Sequence, residues 1–228
     1  MQSWEVVTFR RDATLIALLV PPGGPRSIDW ALAWGGLQKP AIWDVMRLTG
    51  LPWDAARTQA AHQMLSGIYQ YLFFLDLDLV VPGDTIMRLM AHRLPIVSAL
   101  YHQRFPTWTG TSGDYLPCMF NEVLNEQGQR VKQPITAFQP GQVVEAVFVP
   151  SGAILIHRSV FERFIQAGIK RIYQWTLTAD DPQGMSEDFF MTKVARDMFG
   201  IRSYVDTGLV AIHETDAKIT QKGLEVKI

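Results

Sequence analysis

Asp76 and Asp78 close the segment Tyr71-Leu72-Phe73-Phe74-Leu75-Asp76-Leu77-Asp78, in which an unbroken apolar run ends in two carboxylates. A run of this length, stopped soon after by Pro82-Gly83, predicts a strand buried on both faces, as in a parallel sheet covered by helices. Side chains two apart on a strand point the same way, which would put both carboxylates on one face with Leu77 turned back to the core. Two anions held so close repel, and a cation beside them removes that cost. In open α/β sheets ligands gather at the carboxyl ends of strands, where this pair falls. The chemistry this points to is a divalent metal on carboxylate oxygen, with a phosphorylated ligand supplying further oxygens. A lone Asp after a strand would be read as a cap for the next turn; the doubled Asp favours the metal.

Other groups add to this one. Ser186-Glu187-Asp188 opens a helix. Acidic residues there are stabilised by the helix dipole, by roughly 0.3–1 kcal/mol each, which is the structural explanation. The functional one is a general base at a helix N-terminus facing a ligand. His213 follows the short apolar strand Leu209 to Ile212, and beside Asp78 it is a candidate nitrogen ligand for Mn²⁺, which accepts mixed oxygen and imidazole sets better than Mg²⁺ does. His62, His92, His102 and His157 show no metal spacing. Arg57 and Arg104 are candidates for a diphosphate or sugar, because a guanidinium fork matches phosphate oxygens. Tyr101, Trp108 and Trp175 are candidates to stack on a sugar ring or base, with core packing the alternative.

The elements that must position these groups read as a β/α alternation. Met1 to Asp12 is an amino-terminal strand or arm, and Thr14 to Val20 is the first buried strand, broken by Pro21-Pro22-Gly23-Gly24-Pro25. That loop has no phosphate-loop Gly-Lys-Ser/Thr signature. A helix is expected from Ser27 or Ile28 to Trp34, ending at Gly35-Gly36. Ala41 to Met46 is a second strand. Asp54 is the expected N-cap of a helix through Tyr69, with Ala60, Met64 and Ile68 inward and Arg57 in its first turn. Asp84 caps the helix after the Asp-x-Asp strand, with Ile86, Leu89, Met90 and Leu94 inward. Ile96 to Tyr101 is a strand. Phe105 to Gln142 is a long excursion with a hairpin around Asn125 to Gly128. Val143 to Val149 and Ala153 to Ile156 are strands. Ser159 with Glu162 forms a capping box for a helix closed by Gly168. Tyr173 to Gly184 is loop. Phe190, Val194 and Met198 are the expected inward face of the helix that follows, closed by Gly200. Arg202 to Val205 and Leu209 to Ile212 are short strands, and the tail 215–228 is charged and ambiguous.

Length and composition bound the classes. The chain of 228 residues is enough for one sizeable domain, and no repeat or linker divides it. With 21 basic and 22 acidic residues the formal charge is -1, which does not point to nucleic acid as the main partner. The single cysteine, Cys118, excludes an internal disulfide and fits a reducing, cytoplasmic setting. No apolar stretch approaches the ~20 residues of a transmembrane segment. Arg10-Arg11 before the apolar run lacks the cleavage-site context of a signal peptide.

In this order the pieces resemble the GT-A-fold glycosyltransferases, and most closely the compact family-2-like enzymes of bacteria and bacteriophages. The matching stretches are Leu15 to Pro21, Tyr71 to Pro82 (YLFFLDLDLVVP), Ile96 to Arg104 (IVSALYHQR), Val149 to Phe161 (VPSGAILIHRSVF) and Ser186 to His213. The resemblance implies a single GT-A catalytic domain over residues 1–228, core about 13–214, with a mixed, mostly parallel, Rossmann-like sheet flanked by helices. It implies a metal-dependent transfer, of a hexose for preference, from a UDP- or GDP-linked sugar to a glycan, lipid-linked or other hydroxyl acceptor. Asp78 and His213 would hold Mn²⁺ (or Mg²⁺), and Asp76 would contact ribose or metal. Pro21 and Arg57 would lie at the nucleotide, and Gly152 would allow close approach of a sugar. Asp188 would be the base of an inverting reaction, with Glu187 the substitute. The family's Gln/Arg-x-x-Arg-Trp motif is missing after Glu187-Asp188, and Val-Pro-Pro-Gly-Gly replaces the polar residues that usually clasp the base. Both departures leave the acceptor and the nucleotide open, and a retaining mechanism stays in play. The alternatives are a nucleotidyltransferase on a similar sheet, which would want a more basic glycine loop than Pro21 to Arg26, and a non-catalytic nucleotide-sugar-binding module, which would need no paired carboxylates.

Overall fold

The computed structural model describes residues 12–20, 27–103, 107–109, 112–176, 184–214, 217–220 and 223–226. The expected amino-terminal arm, Pro21 and its loop, Arg104 and Asp180-Asp181 lie outside these residues, and of Trp108 only the backbone is described.

A seven-stranded sheet is the spine. Its strands are β1 (Thr14–Leu19), β2 (Trp43–Leu48), β3 (Tyr71–Asp76), β5 (Ile96–Leu100), β10 (Val143–Ala146), β11 (Ala153–His157) and β12 (Ser203–Val210), in the order β10-β12-β5-β11-β3-β1-β2. The intervening numbers are β4 (Leu79–Val80) and two excursion hairpins, β6 (Thr107–Thr109) with β7 (Ser112–Asp114) and β8 (Phe120–Leu124) with β9 (Arg130–Pro134). β1 pairs in parallel with β2 and β3, and β5 with β12. β11 runs against both β3 and β5, and β10 against β12. The architecture is therefore a mixed, mostly parallel α/β sheet, as the alternation of elements predicts.

Helices cover both faces: α1 (Ile28–Gly36), α2 (Trp53–Ser66), α3 (Thr85–Ala91), α4 (Arg158–Gln166) and α5 (Glu187–Phe199). The strand period of two sorts the side chains between them. Leu15, Ala17, Leu72, Phe74 and Ile154 face Ala60, Met64, Phe161 and Met191 of α2, α4 and α5. Ile16, Leu18, Phe73, Leu75 and Leu155 face Trp30, Ile86 and Leu89 of α1 and α3. Phe73 and Phe74 point opposite ways and are both fully buried, each contributing about 2–3 kcal/mol. Leaving β1, the chain adds β2 on one side and β3 on the other, so the strand order reverses between β1 and β3. The crevice opened by such a reversal lies at the carboxyl ends of the strands.

Several local expectations shift. Ser27 caps α1, accepting from Trp30 N at 3.0 Å. Asp54 is not a cap: α2 begins one residue before it, after Pro52, and Asp54 accepts instead from Ala55 N and Arg171. α2 also stops at Ser66, which leaves Ile68 exposed. Asp84 precedes α3 without a side-chain cap bond, whereas Thr85 Oγ1 donates to Pro82 O at 2.6 Å. The Ser159/Glu162 capping box does not form, because His157 Nδ1 takes the Ser159 N–H and Glu162 pairs with Arg158. The two short strands after Gly200 are one strand with a bulge, β12. The tail forms β13 (Ile212–Glu214), β14 (Ala217–Thr220) and β15 (Gly223–Val226), joined to β4 in a four-stranded sheet. Among the described residues no helix is long and apolar enough to cross a membrane.

Candidate functional site at the carboxyl end of the sheet

β3 ends at Asp76, so Asp78 lies in the turn beyond and the two carboxylates do not share a strand face. Asp76 continues the Leu72, Phe74 series and turns toward α2 and α5. Arg57, the fifth residue of α2 and 4 % exposed, meets it there. Arg57 Nη2 donates to Asp76 Oδ1 and Oδ2, both at 3.1 Å. Its Nη1 donates to the carbonyl of Ser151 at 2.9 Å, and its Nε to Glu187 Oε1 at 3.3 Å. Arg57 is therefore interior, with its guanidinium committed to the protein's own groups.

Asp76 is also fixed through its backbone. Its N–H donates to Gly152 O at 2.8 Å, and its carbonyl accepts from Trp30 Nε1 at 3.3 Å. Burial pushes its carboxyl up to about 6, with Arg57 opposing and Asp78 reinforcing the rise. Glu187 is raised in the same way, by burial first and then by Asp188. Burial works against the Arg57 charge, but Asp76 and Glu187 outweigh it and hold the guanidinium firmly protonated.

Asp78 meets His213, and both lie close enough to Asp76 to act on its carboxyl. Asp78 Oδ2 lies 3.7 Å from His213 Nε2. β13 brings the histidine there: it pairs antiparallel with β4, placing His213 beside Leu79, and Glu214 N donates to Asp78 O at 2.7 Å. His213 Nδ1 stands 3.0 Å from the carbonyl of His102. A carbonyl only accepts, so Nδ1 carries the proton and Nε2 presents its lone pair when the ring is neutral. The Tyr101 ring packs edge-on against the imidazole at 5.5 Å.

Glycine at 152 answers to packing within the fold. A Cβ there would lie 2.5 Å from Leu79 Cδ1, 2.7 Å from Tyr101 Oη and 3.1 Å from Asp76 Oδ2. These contacts exclude a side chain at 152. Tyr101 Oη accepts the Gly152 N–H at 3.0 Å.

Asp188 stands next to Glu187 in the first turn of α5 but is only half-buried. Its Oδ1 accepts from Phe189 N at 2.8 Å and from the Ser186 hydroxyl. Its charge reaches Tyr101, Cys118 and Tyr173. Cys118 is half-buried, and its thiol is pushed up by burial and by Asp188. The hydroxyls of Ser151 and Tyr173 lie beside each other under the site, yet neither makes a hydrogen bond of normal geometry.

No protein-family model matches the chain, and no curated protein matches it. Among solved structures, A197 from STIV superposes with a TM-score of 0.60 over 95% of each chain, at 17% sequence identity. The likeness is one of fold. At that identity it carries no statement about chemistry, which rests on the residues themselves.

The structure thus divides the expected site by partner. Asp76, Arg57, Glu187 and Gly152 belong to one hydrogen-bonded network, in which Asp76 keeps 26% of its side chain exposed, and Asp78 and His213 form a second, partly buried pair beside it. Among the described residues no three His, Cys, Asp or Glu side chains gather as a metal cluster. As donors for the metal that the resemblance implies, Asp78 and His213 fit, with one hard oxygen and one imidazole nitrogen oriented by a carbonyl. Asp76 does not fit, since both its oxygens already face a guanidinium. Sequence reasoning missed Glu214, fully buried, which accepts from the Ser27 hydroxyl at 2.7 and 2.6 Å. An acid in register with Ile212 on a half-buried strand was the available signal. It also missed the His102 carbonyl, and a backbone group leaves no signal in side-chain types.

Proposed function

We propose that the protein is a metal-dependent glycosyltransferase that moves a sugar from a nucleotide-diphosphate sugar, UDP- or GDP-linked, to an acceptor hydroxyl. The observation that carries the reading is the Asp78–His213 pair. With Nδ1–H committed to the His102 carbonyl, Nε2 faces carboxylate Oδ2 across 3.7 Å. That separation is too long for a hydrogen bond. A protonated ring would pair with this carboxylate directly, whereas a neutral ring and the carboxylate together offer one nitrogen and one oxygen donor to a cation. Mn²⁺ (or Mg²⁺) bound there would neutralise charge on the departing nucleoside diphosphate.

The surroundings support the same reading. Asp76, Glu187 and Asp188 surround the Arg57 guanidinium, and Asp78 adds its charge beside Asp76, so this end of the sheet carries surplus negative charge that a cation offsets. Asp188, half-buried at the N-terminus of α5, is the base we assign for taking the proton of the acceptor hydroxyl as it attacks the anomeric carbon with inversion. Glu187, bonded to Arg57, is the poorer candidate.

The test is incubation with Mn²⁺ and a panel of UDP-, GDP-, CMP- and dTDP-sugars, reading release of free nucleotide. Slow hydrolysis of one or two donors is expected, abolished by EDTA and lowered about a hundred- to a thousandfold by Asp78→Ala, the range known for losing transition-state charge stabilisation. Hydrolysis indifferent to both treatments defeats the assignment. Asp188→Asn should still bind donor but not transfer, and transfer at the wild-type rate would move the base elsewhere.

A further inference from the structure

We infer that Arg57 is a positioning residue that couples the end of β3 to the first turn of α5 and so sets the direction of Asp188. The inference rests on the transferase reading for the role of Asp188, and on geometry alone for the coupling.

The guanidinium reaches three separate segments: Asp76 at the strand end, Ser151 in the turn before β11, and Glu187 on α5. Each segment carries or adjoins a group of the proposed site. Asp76 stands two residues before Asp78. Ser151 precedes Gly152, whose carbonyl takes the Asp76 N–H. Glu187 precedes Asp188. Arg57 is therefore built into the centre of the site, and its planar fork is the geometry that can satisfy partners in several directions.

The helical phase of α5 gives the coupling its consequence. The buried positions of α5 are Glu187, Met191, Thr192 and Ala195, whereas Met198 is 59% exposed. Of the apolar series Phe190, Val194 and Met198, Val194 packs against the core and Met198 does not, and the buried stripe runs through Glu187, Met191 and Ala195. A carboxylate turned inward at its first position agrees with that phase, and Glu187 is the carboxylate that meets Arg57. Successive residues on a helix differ by about 100°. Holding Glu187 inward therefore aims Asp188 to one side, where its charge falls on Tyr101 and Cys118. A lysine at 57 would offer one ammonium without the fork and would hold Asp76 or Glu187, but not both along with the Ser151 carbonyl.

The experiment compares wild-type protein with Arg57→Lys, Glu187→Gln and Asp78→Ala, using Mg²⁺ with UDP or GDP as the probe. Nucleotide affinity is read by calorimetry, folding by thermal melting, and donor hydrolysis as kcat and KM separately. For Arg57→Lys the expected result is nucleotide affinity within about threefold of wild type and kcat lowered about a hundredfold at unchanged KM, the signature of misaimed rather than missing groups. Glu187→Gln should move kcat the same way by a smaller factor. Nucleotide affinity lowered tenfold or more by Arg57→Lys with kcat retained would make Arg57 a diphosphate ligand and overturn the proposal. Should that variant fail to fold, the wild-type protein decides. Its Arg57 Nε–H should exchange slowly with solvent by ¹⁵N NMR with and without Mg²⁺ and nucleotide, and fast exchange in either state refutes the coupling. Metal and nucleotide binding unchanged in Asp78→Ala would overturn the transferase reading instead, while the Nε–H measurement on ligand-free protein still judges Arg57.

Discussion

Arg57 with Asp76, and Arg88 with Asp206, are both guanidinium–carboxylate pairs set into the seven-stranded sheet, yet their surroundings differ in kind. Asp206, 1 % exposed, accepts from Arg88 Nε at 2.8 Å, Arg88 Nη2 at 3.1 Å, His92 Nε2 at 2.9 Å and Gly208 N at 2.9 Å. Burial would raise its carboxyl, but the bonds from His92, Arg88 and Gly208 outweigh it and hold the group below the usual range. Asp76 shares its guanidinium with Glu187 and lies within the field of Asp78, and its carboxyl is pushed up to about 6 by burial ahead of Arg57's opposing pull. Donors surround the first aspartate, and acids surround the second. A network with donors to spare clamps elements together. One with surplus acid is incomplete without another cation, and that is the physical case for a site at the carboxyl end of β3 and for none at Asp206.

The comparison breaks most visibly in stability. Asp206→Ala removes four bonds around a buried carboxylate and is expected to destabilise the protein by about 2–4 kcal/mol, the lower part applying because Arg88 is partly solvated. Asp78→Ala, whose side chain is 17% exposed beside His213, should stay within about 1 kcal/mol of wild type at neutral pH without metal. Urea unfolding of both variants measures this, with the midpoint and the slope m fitted separately. Equal losses would mean that the Asp78–His213 pair is structural and that the contrast between the networks is illusory.

The dependence on pH should carry opposite signs in the two places. Asp76 has a folded pKa of about 6 against an ordinary 3.8. Between those values the folded state holds a proton that the unfolded chain has lost, so its contribution makes stability fall as pH rises through the window. Asp206, held low, contributes stability that is present above pH ~4 and lost as pH drops through its depressed folded pKa. Metal-free wild type should therefore lose stability both on acidification below about pH 4 and on the climb from there through about 6. Glu187 is raised as well and adds to the second loss. Asp76→Asn should flatten the climb and leave the acid limb in place. An unchanged climb in that variant would locate the titration in other carboxylates.

How much of this was legible in the sequence follows from the range of the forces involved. β3 was readable because burial on both faces demands an apolar residue at each position, and Leu72 to Leu75 supply it. The α/β alternation and the carboxyl-end location of the acidic pair followed from the same local patterning. What was not legible depends on partners far along the chain. Asp76 and Asp78 look alike in a string, and only the end of β3 and the arrival of Arg57, 19 residues earlier, give them different partners. α5 shows the same limit: an apolar series predicts its inward face, and the buried stripe runs instead through Glu187, which bonds 130 residues back to Arg57. The missing capping box at Ser159 is a local failure, since His157 offers its own ring nitrogen to the same N–H.

The smallest expected effect tests what makes the Asp206 network self-sufficient. His92→Gln keeps an amide donor near Asp206 Oδ2 and leaves the Arg88 fork and the Gly208 N–H in place, so the loss should be under about 1 kcal/mol, the net worth of one hydrogen bond whose replacement is imperfect. Gly208 would then account for more than its single bond suggests, since a Cβ there would meet Arg88 Nη2 at 2.4 Å and Gly141 Cα at 3.0 Å. The fork can lie over Asp206 only because residue 208 has no side chain. If His92→Gln instead proves as damaging as Asp206→Ala, the imidazole is the organising donor and the aspartate is held low by one partner. The two networks would then differ in degree of charge balance rather than in kind.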